Sequence, residues 1–207
     1  MEYYIYSIPV FAYDKVPGGV SIPQFCQQAE DILPRSMLVN VDIVYIGNMH
    51  MLKGRNAAYH DGAIYMTSDE PTVEDMLENF VHEVAHSLEG TLGHEIYTED
   101  LITEYRAKRE RLYQILQAHG HNPARVHASF TEYTPTWDKY LADEVGYPTL
   151  LSLTMGLFAS PYAATSIQEY FANGFEKYYL EEPWDLKKVS PVLFDKIESV
   201  IESVEDV

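Results

Sequence analysis

The stretch Val73–Leu88, VEDMLENFVHEVAHSL, decides the reading of this chain. Val73, Met76, Leu77, Phe80, Val81, Val84 and Leu88 recur at three- and four-residue spacing, the pattern of a helix with one buried face. Each helical residue advances about 100°, so His82 and His86 stand one turn apart on one face. Two imidazoles at that spacing can hold one tetrahedral Zn2+. A glutamate directly after the first histidine, Glu83, can act on a water at such an ion. This makes zinc-dependent hydrolysis of a peptide bond the leading expectation.

The flanking sequence supplies the helix with ends and a sheet to pack on. Ser68 or Asp69 is expected to cap it, with Pro71 in the first turn and Gly90 or Gly93 at its end. Upstream, Tyr3–Tyr13 reads as a strand, about 21–37 as a helix and Val39–Ile46 as a second strand. Ala57–Thr67 reads as a third strand or a hairpin, with a turn at Asp61-Gly62. Downstream the pattern is helical over about 99–119, 136–158 (broken near Gly146-Tyr147-Pro148), 166–180 and 191–204. A small sheet, the histidine helix and then a mostly helical second half is an α+β arrangement in one domain, 1–207.

Composition excludes several function classes. Hydrophobic residues at 46% and charged ones at 22% argue against disorder. Fourteen basic against 32 acidic residues give a net charge of −18, which repels phosphate backbones and anionic membranes. No nucleic acid and no membrane partner is therefore expected, only a protein or peptide substrate; the oligomeric state stays open. The dense basic stretch Arg106–Arg111 reads as a solvated face with local ion pairs, and Glu198, Glu202, Glu205 and Asp206 as an acidic tail. A single cysteine, Cys26, rules out an intrachain disulfide and reads as a buried thiol. No signal-peptide pattern and no apolar run of membrane-crossing length is seen, so a cytoplasmic location is expected.

Two histidines do not complete a catalytic zinc site; a third protein ligand is needed, with a fourth position for water. The extended motif with glycine and a third histidine fails, because Glu89 and Leu92 stand at those positions. Two glutamates compete. Glu169 opens the aromatic segment Ser166–Phe175 and shares a helix face with Asn173, while Phe171 and Phe175 face elsewhere; its alternative role is to serve the helix dipole. Glu104, 18 residues after His86 (104 − 86), is the rival, among the charged residues Glu99, Asp100 and Arg106. Glu89 reads equally as a hydrogen-bond partner of a ligand or as a surface carboxylate. His50, His60, His94, His119, His121 and His127 read as structural or exposed.

With His82-Glu83-x-x-His86, the run Glu169-Tyr170-Phe171-Ala172-Asn173-Gly174-Phe175 and Tyr162 seven residues ahead of Glu169 (169 − 162), the chain resembles a metallopeptidase family. That family comprises the anthrax lethal factor catalytic domain and the Pro-Pro endopeptidases. Leu186-Lys187-Lys188, Pro191, Phe194 and Ile197 are similar to its closing helix, and about 60 residues are covered in register. The resemblance implies a zincin-like fold of gluzincin type, with Zn2+ on His82, His86 and Glu169. It implies that Glu83 is general base and that Tyr162 donates to the oxyanion, a contribution of order 3 kcal/mol. Asn173 departs from the family's glutamate, and about 95–145 reads as a helical insertion. Two other readings stand beside this one: a gluzincin using Glu104 as third ligand, and a non-catalytic structural or assembly protein that keeps zinc for stability.

Overall fold

The computed structural model describes residues 2–205; Met1 of the N-terminal stretch and Asp206 of the acidic tail lie outside them. The protein is α+β, with a five-stranded mixed sheet followed by a mostly helical second half. It divides into two compact units, one running to Leu92 and resumed from Ile201, the other Gly93–Val200.

In the first unit the strands are β1 (Glu2–Ile5), β2 (Ile8–Ala12), β3 (Ile43–Ile46), β4 (Ala57–His60) and β5 (Ala63–Met66), in the spatial order β1-β2-β3-β5-β4. The central strands β2, β3 and β5 run parallel, and an antiparallel hairpin closes each edge. Period-two alternation sorts the side chains. Val10, Val44, Ile46, Ile64 and Met66 are buried, whereas Phe11, Tyr45 and Tyr65 stand in register and line up their rings at 6.2 and 5.2 Å. Helix α1 (Ile22–Ile32) is capped by Ser21, whose hydroxyl accepts from the Gln24 amide. Its Phe25 ring meets Phe80 of helix α2 (Val73–Ile96) edge to face at 5.5 Å. Buried Val73, Met76, Leu77, Phe80, Val81, Val84 and Leu88 form the apolar stripe of α2 that the spacing predicts.

Several local expectations need correction. The single strand Tyr3–Tyr13 is two strands joined at Tyr6-Ser7, with Tyr6 left-handed at φ 55°. No glycine or asparagine marks this turn. Helix α1 holds it instead, Glu30 accepting from the Tyr6 amide and the carbonyls of Glu30 and Leu33 accepting from its hydroxyl at 2.9 Å each. The α1 segment ends at Ile32 rather than 37, ahead of Pro34, and β3 starts only at Ile43. Thr72, not Ser68 or Asp69, caps α2, its hydroxyl accepting from the Asp75 amide at 3.0 Å. Nor does α2 stop at Gly90 or Gly93: neither glycine takes a left-handed conformation, and the helix continues to Ile96. The Asp61-Gly62 turn is as expected, with φ values of 48° and 80° that suit a two-residue hairpin loop.

The second unit contains α3 (Glu99–Ala118), α4 (Val126–Ser129), α5 (Pro135–Lys139), a π-turn at Tyr140–Val145, α6 (Tyr147–Thr154) and a 3-10 turn at Tyr162–Ala164. It ends with α7 (Ile167–Leu180), α8 (Pro183–Val189) and α9, whose span Pro191–Glu205 runs on into the first unit. The basic stretch on α3 is not wholly solvated. Lys108 and Arg109 are 8% and 2% exposed, and they belong to the buried stripe Leu101, Tyr105, Leu112 and Leu116. Among the described residues no helix is long and apolar enough to cross a membrane.

Candidate metal centre

On α2 the residues singled out from the sequence stand together. The Nε2 atoms of His82 and His86 are 3.2 Å apart, with the rings at 73° to one another. Two nitrogens that each lie about 2.05 Å from one tetrahedral zinc are separated by about 3.3 Å, so this spacing suits a shared ion. Glu89 sits 2.7 Å from His86 Nδ1 and accepts its proton, which leaves the lone pair on Nε2. Glu89 is thus a hydrogen-bond partner of His86.

Glu83 is 8% exposed and does not turn toward solvent. Its Oε2 accepts from the Tyr59 amide of β4 at 2.7 Å. Strand β4 is an edge of the sheet, and its inner face is used through β5: the Thr67 amide donates to the Asn56 carbonyl at 2.7 Å. By strand alternation, Ala57 and Tyr59 then direct their amides to the outer edge. Tyr59 is itself fastened, its hydroxyl donating to the Asn40 carbonyl at 3.0 Å and accepting from the Gly62 amide at 3.2 Å. Asn40 in turn donates to the Ser87 carbonyl and the Thr91 hydroxyl of α2. In the first unit a helix and an edge strand are thus cross-linked through polar side chains.

In the second unit Tyr162 lies on the 3-10 turn and Glu169 in the first turn of α7, both half-buried. The segment between them is bolted down from α3 and α5. The Ala164 carbonyl accepts from the Tyr105 hydroxyl at 3.3 Å and the Trp137 indole at 3.0 Å, and the Thr165 carbonyl accepts from Arg109 at 3.4 Å. The Arg109 guanidinium lies 4.7 Å over the Trp137 ring. Burial pushes the Tyr105 phenol up to about 12 despite the adjacent guanidinium, so this donor stays protonated. Ser166 caps α7, its hydroxyl accepting from the Glu169 amide at 3.1 Å.

Asn173 explains itself locally. Its side-chain amide donates to the Glu169 carbonyl at 2.8 Å and its oxygen accepts from Ser160, whose hydroxyl also accepts from the Ala163 amide. A neutral side chain here ties the Tyr162 turn to the Glu169 turn. Ser160, Arg109, Tyr105 and Trp137 are not singled out by the sequence; the one signal that could have found Arg109 is its place on the apolar stripe of Leu101, Tyr105, Leu112 and Leu116.

Glu104 is occupied elsewhere. One carboxylate oxygen accepts from the Tyr170 hydroxyl at 2.8 Å and the Leu193 amide at 3.1 Å, the other from the Val192 amide at 3.0 Å. It serves the N-terminus of α9. Cys26 is buried and its thiol is pushed up to about 12 by burial, so it is inert as a nucleophile. No family model matches the chain, and comparison with curated proteins and with solved structures finds no significant match.

Proposed function

We propose that the chain is a zinc-dependent endopeptidase with a zincin-like arrangement, in which His82, His86 and Glu169 hold the metal. The observation that carries this reading is the pair of Nε2 atoms 3.2 Å apart beside a buried glutamate that an edge-strand amide holds in place. Support for Glu169 is its place in the first turn of α7, seven residues after Tyr162, where Ser166 caps its amide and Asn173 holds its carbonyl. Two imidazoles and one carboxylate are a donor set suited to zinc. The commitment of Glu104 to α9 favours Glu169 over it.

When bound, zinc supplies Lewis acidity, activating a water and polarising the scissile carbonyl. The chain's own residues handle the proton. With Oε2 fixed on the Tyr59 amide, Glu83 keeps Oε1 to take a proton from the attacking water and return it to the leaving amine. Glu89 keeps His86 in the tautomer that offers Nε2. Tyr162 donates to the oxyanion as the carbonyl becomes tetrahedral. The substrate's backbone pairs with the outer edge of β4 as an added strand through Ala57, the Tyr59 amide being held by Glu83.

Zinc-loaded protein incubated with a proteome-derived peptide library, read by mass spectrometry, tests this. Glu83→Gln is expected to keep its zinc and lose cleavage by about 10²–10⁴-fold; undiminished cleavage refutes the mechanism. Glu169→Ala is expected to lose zinc and Glu104→Ala to retain it; the reverse result moves the third ligand to α3.

A further inference from the structure

An open cleft of about 680 Å³ lies at the carboxyl ends of the parallel strands β3 and β5, where ligands of such sheets collect. Leu52, Thr67 and Glu70 are its buried residues, and Asn48, Asn56 and Asp69 stand exposed around them. The polar wall is built. Asn48 accepts from the Thr67 hydroxyl at 3.1 Å and donates to Asp69 at 3.3 Å, and the Asp69 amide donates to the Thr67 hydroxyl at 3.2 Å. Glu70 is 7% exposed. Its Oε1 accepts from Asn79 at 2.8 Å, and among the described residues its Oε2 accepts no hydrogen bond. A buried carboxylate with one open oxygen in a cleft is a recognition group awaiting a donor.

Resting on the peptidase reading above, we infer that this cleft selects the substrate: it takes a lysine or arginine side chain of the bound peptide, paired with Glu70 and flanked by Asp69. Position follows from β4. Glu83 meets the strand at Tyr59, and Asn56 at the cleft is three residues back, about 10 Å along a strand. A peptide added antiparallel, the slightly more stable ladder, runs its C-terminal side toward Asn56. The basic residue therefore falls two to four positions after the scissile bond. Burial raises the Glu70 carboxyl above the usual range, and a cation docked beside it restores the charged form. Arg55 also lines the cleft, but it is exposed and therefore screened, whereas the desolvated Glu70 is not.

The test has two arms. Binding of a Lys-Ala alternating octapeptide and of its Gln-Ala counterpart to zinc-loaded protein is measured by calorimetry at about 0.15 M salt, which screens the general acidity of the surface. The lysine peptide is expected to bind about tenfold tighter or more. Glu70→Gln keeps an acceptor for Asn79 and is expected to cut that preference below about twofold, whereas exposed Glu74→Gln leaves it. No preference, or one that survives Glu70→Gln in protein that melts like wild type, overturns the inference. In the second arm, peptides cut from the library are scored for Lys or Arg after the bond. Cleavage without that enrichment sinks the cleft and leaves the peptidase standing. An uncut library with the Glu70-dependent preference intact sinks the peptidase and leaves the cleft as a site for basic peptides.

Discussion

Replacing Glu104 with alanine separates a structural carboxylate from a ligand. The change removes acceptors for two amides at the start of α9 and for a hydroxyl on Tyr170, a fully buried residue. Losing a cap costs about 1 kcal/mol, and losing a favourable charge at the helix dipole up to about 1 kcal/mol more. Stranding a buried hydroxyl adds about 1–3 kcal/mol. The sum, about 3–4 kcal/mol after allowance for overlap, is a large part of a domain's stability of about 5–15 kcal/mol. At about 2–4 °C per kcal/mol for a chain of this size, Tm is expected to fall by about 6–16 °C. Thermal unfolding followed by circular dichroism reads this, with zinc content measured on the same samples below the transition. Glu104→Gln, which keeps one acceptor oxygen, is expected to fall between Glu104→Ala and wild type. Melting of Glu104→Ala within about 2 °C of wild type, or zinc lost from protein that remains folded, refutes the reasoning.

Two further outcomes follow from packing and from titration. A Cβ at Gly174 would lie 2.4 Å from Leu193 Cδ2 and 2.9 Å from Cγ, so Gly174→Ala forces α7 and α9 apart at a fully buried leucine. A loss of about 1–3 kcal/mol in denaturant unfolding is expected, and an unchanged midpoint refutes it. Burial also raises the phenols of Tyr105 and Tyr170 above the ordinary value of 10.0, the former to about 12. Both remain protonated in either state below pH 10, so their contribution is intact there. Above it the unfolded chain ionises first, and stability is expected to fall as pH rises from 10 toward 12. Stability measured across that window checks this, and Tyr170→Phe should flatten the decline; a level profile contradicts it.

How far the sequence was legible depended on whether the deciding physics was local. Helix α3 and the extent of α7 and α9 followed closely from periodicity and from Ser166 and Pro191 at their starts, because caps and apolar stripes act within a few residues. The hairpin β4–β5 followed from Asp61-Gly62, two residues that tolerate positive φ. The turn at Tyr6 was invisible for the opposite reason: its strain is balanced by Glu30 and Leu33, more than twenty residues away. Lys108 and Arg109 misled in the same way. Buried cations are expected only with partners, and theirs are backbone carbonyls of Leu157, Val189, Thr165 and His127, which no side-chain pattern records.

The candidate site divides along the same line. From the sequence alone come the chemical types and their helical spacing: two imidazoles one turn apart, a glutamate beside the first, and a second carboxylate opening a later aromatic helix. Rotation per residue fixes the spacing within α2 before any packing occurs. Only the tertiary structure decided which carboxylates were already committed. Glu104 went to α9, Glu89 to His86, Glu83 to the Tyr59 amide, and Glu70 to the floor of a cleft with one oxygen to spare. A carboxylate accepts from whatever donor folding brings near it, and those donors are backbone amides and distant side chains whose positions the local sequence does not encode.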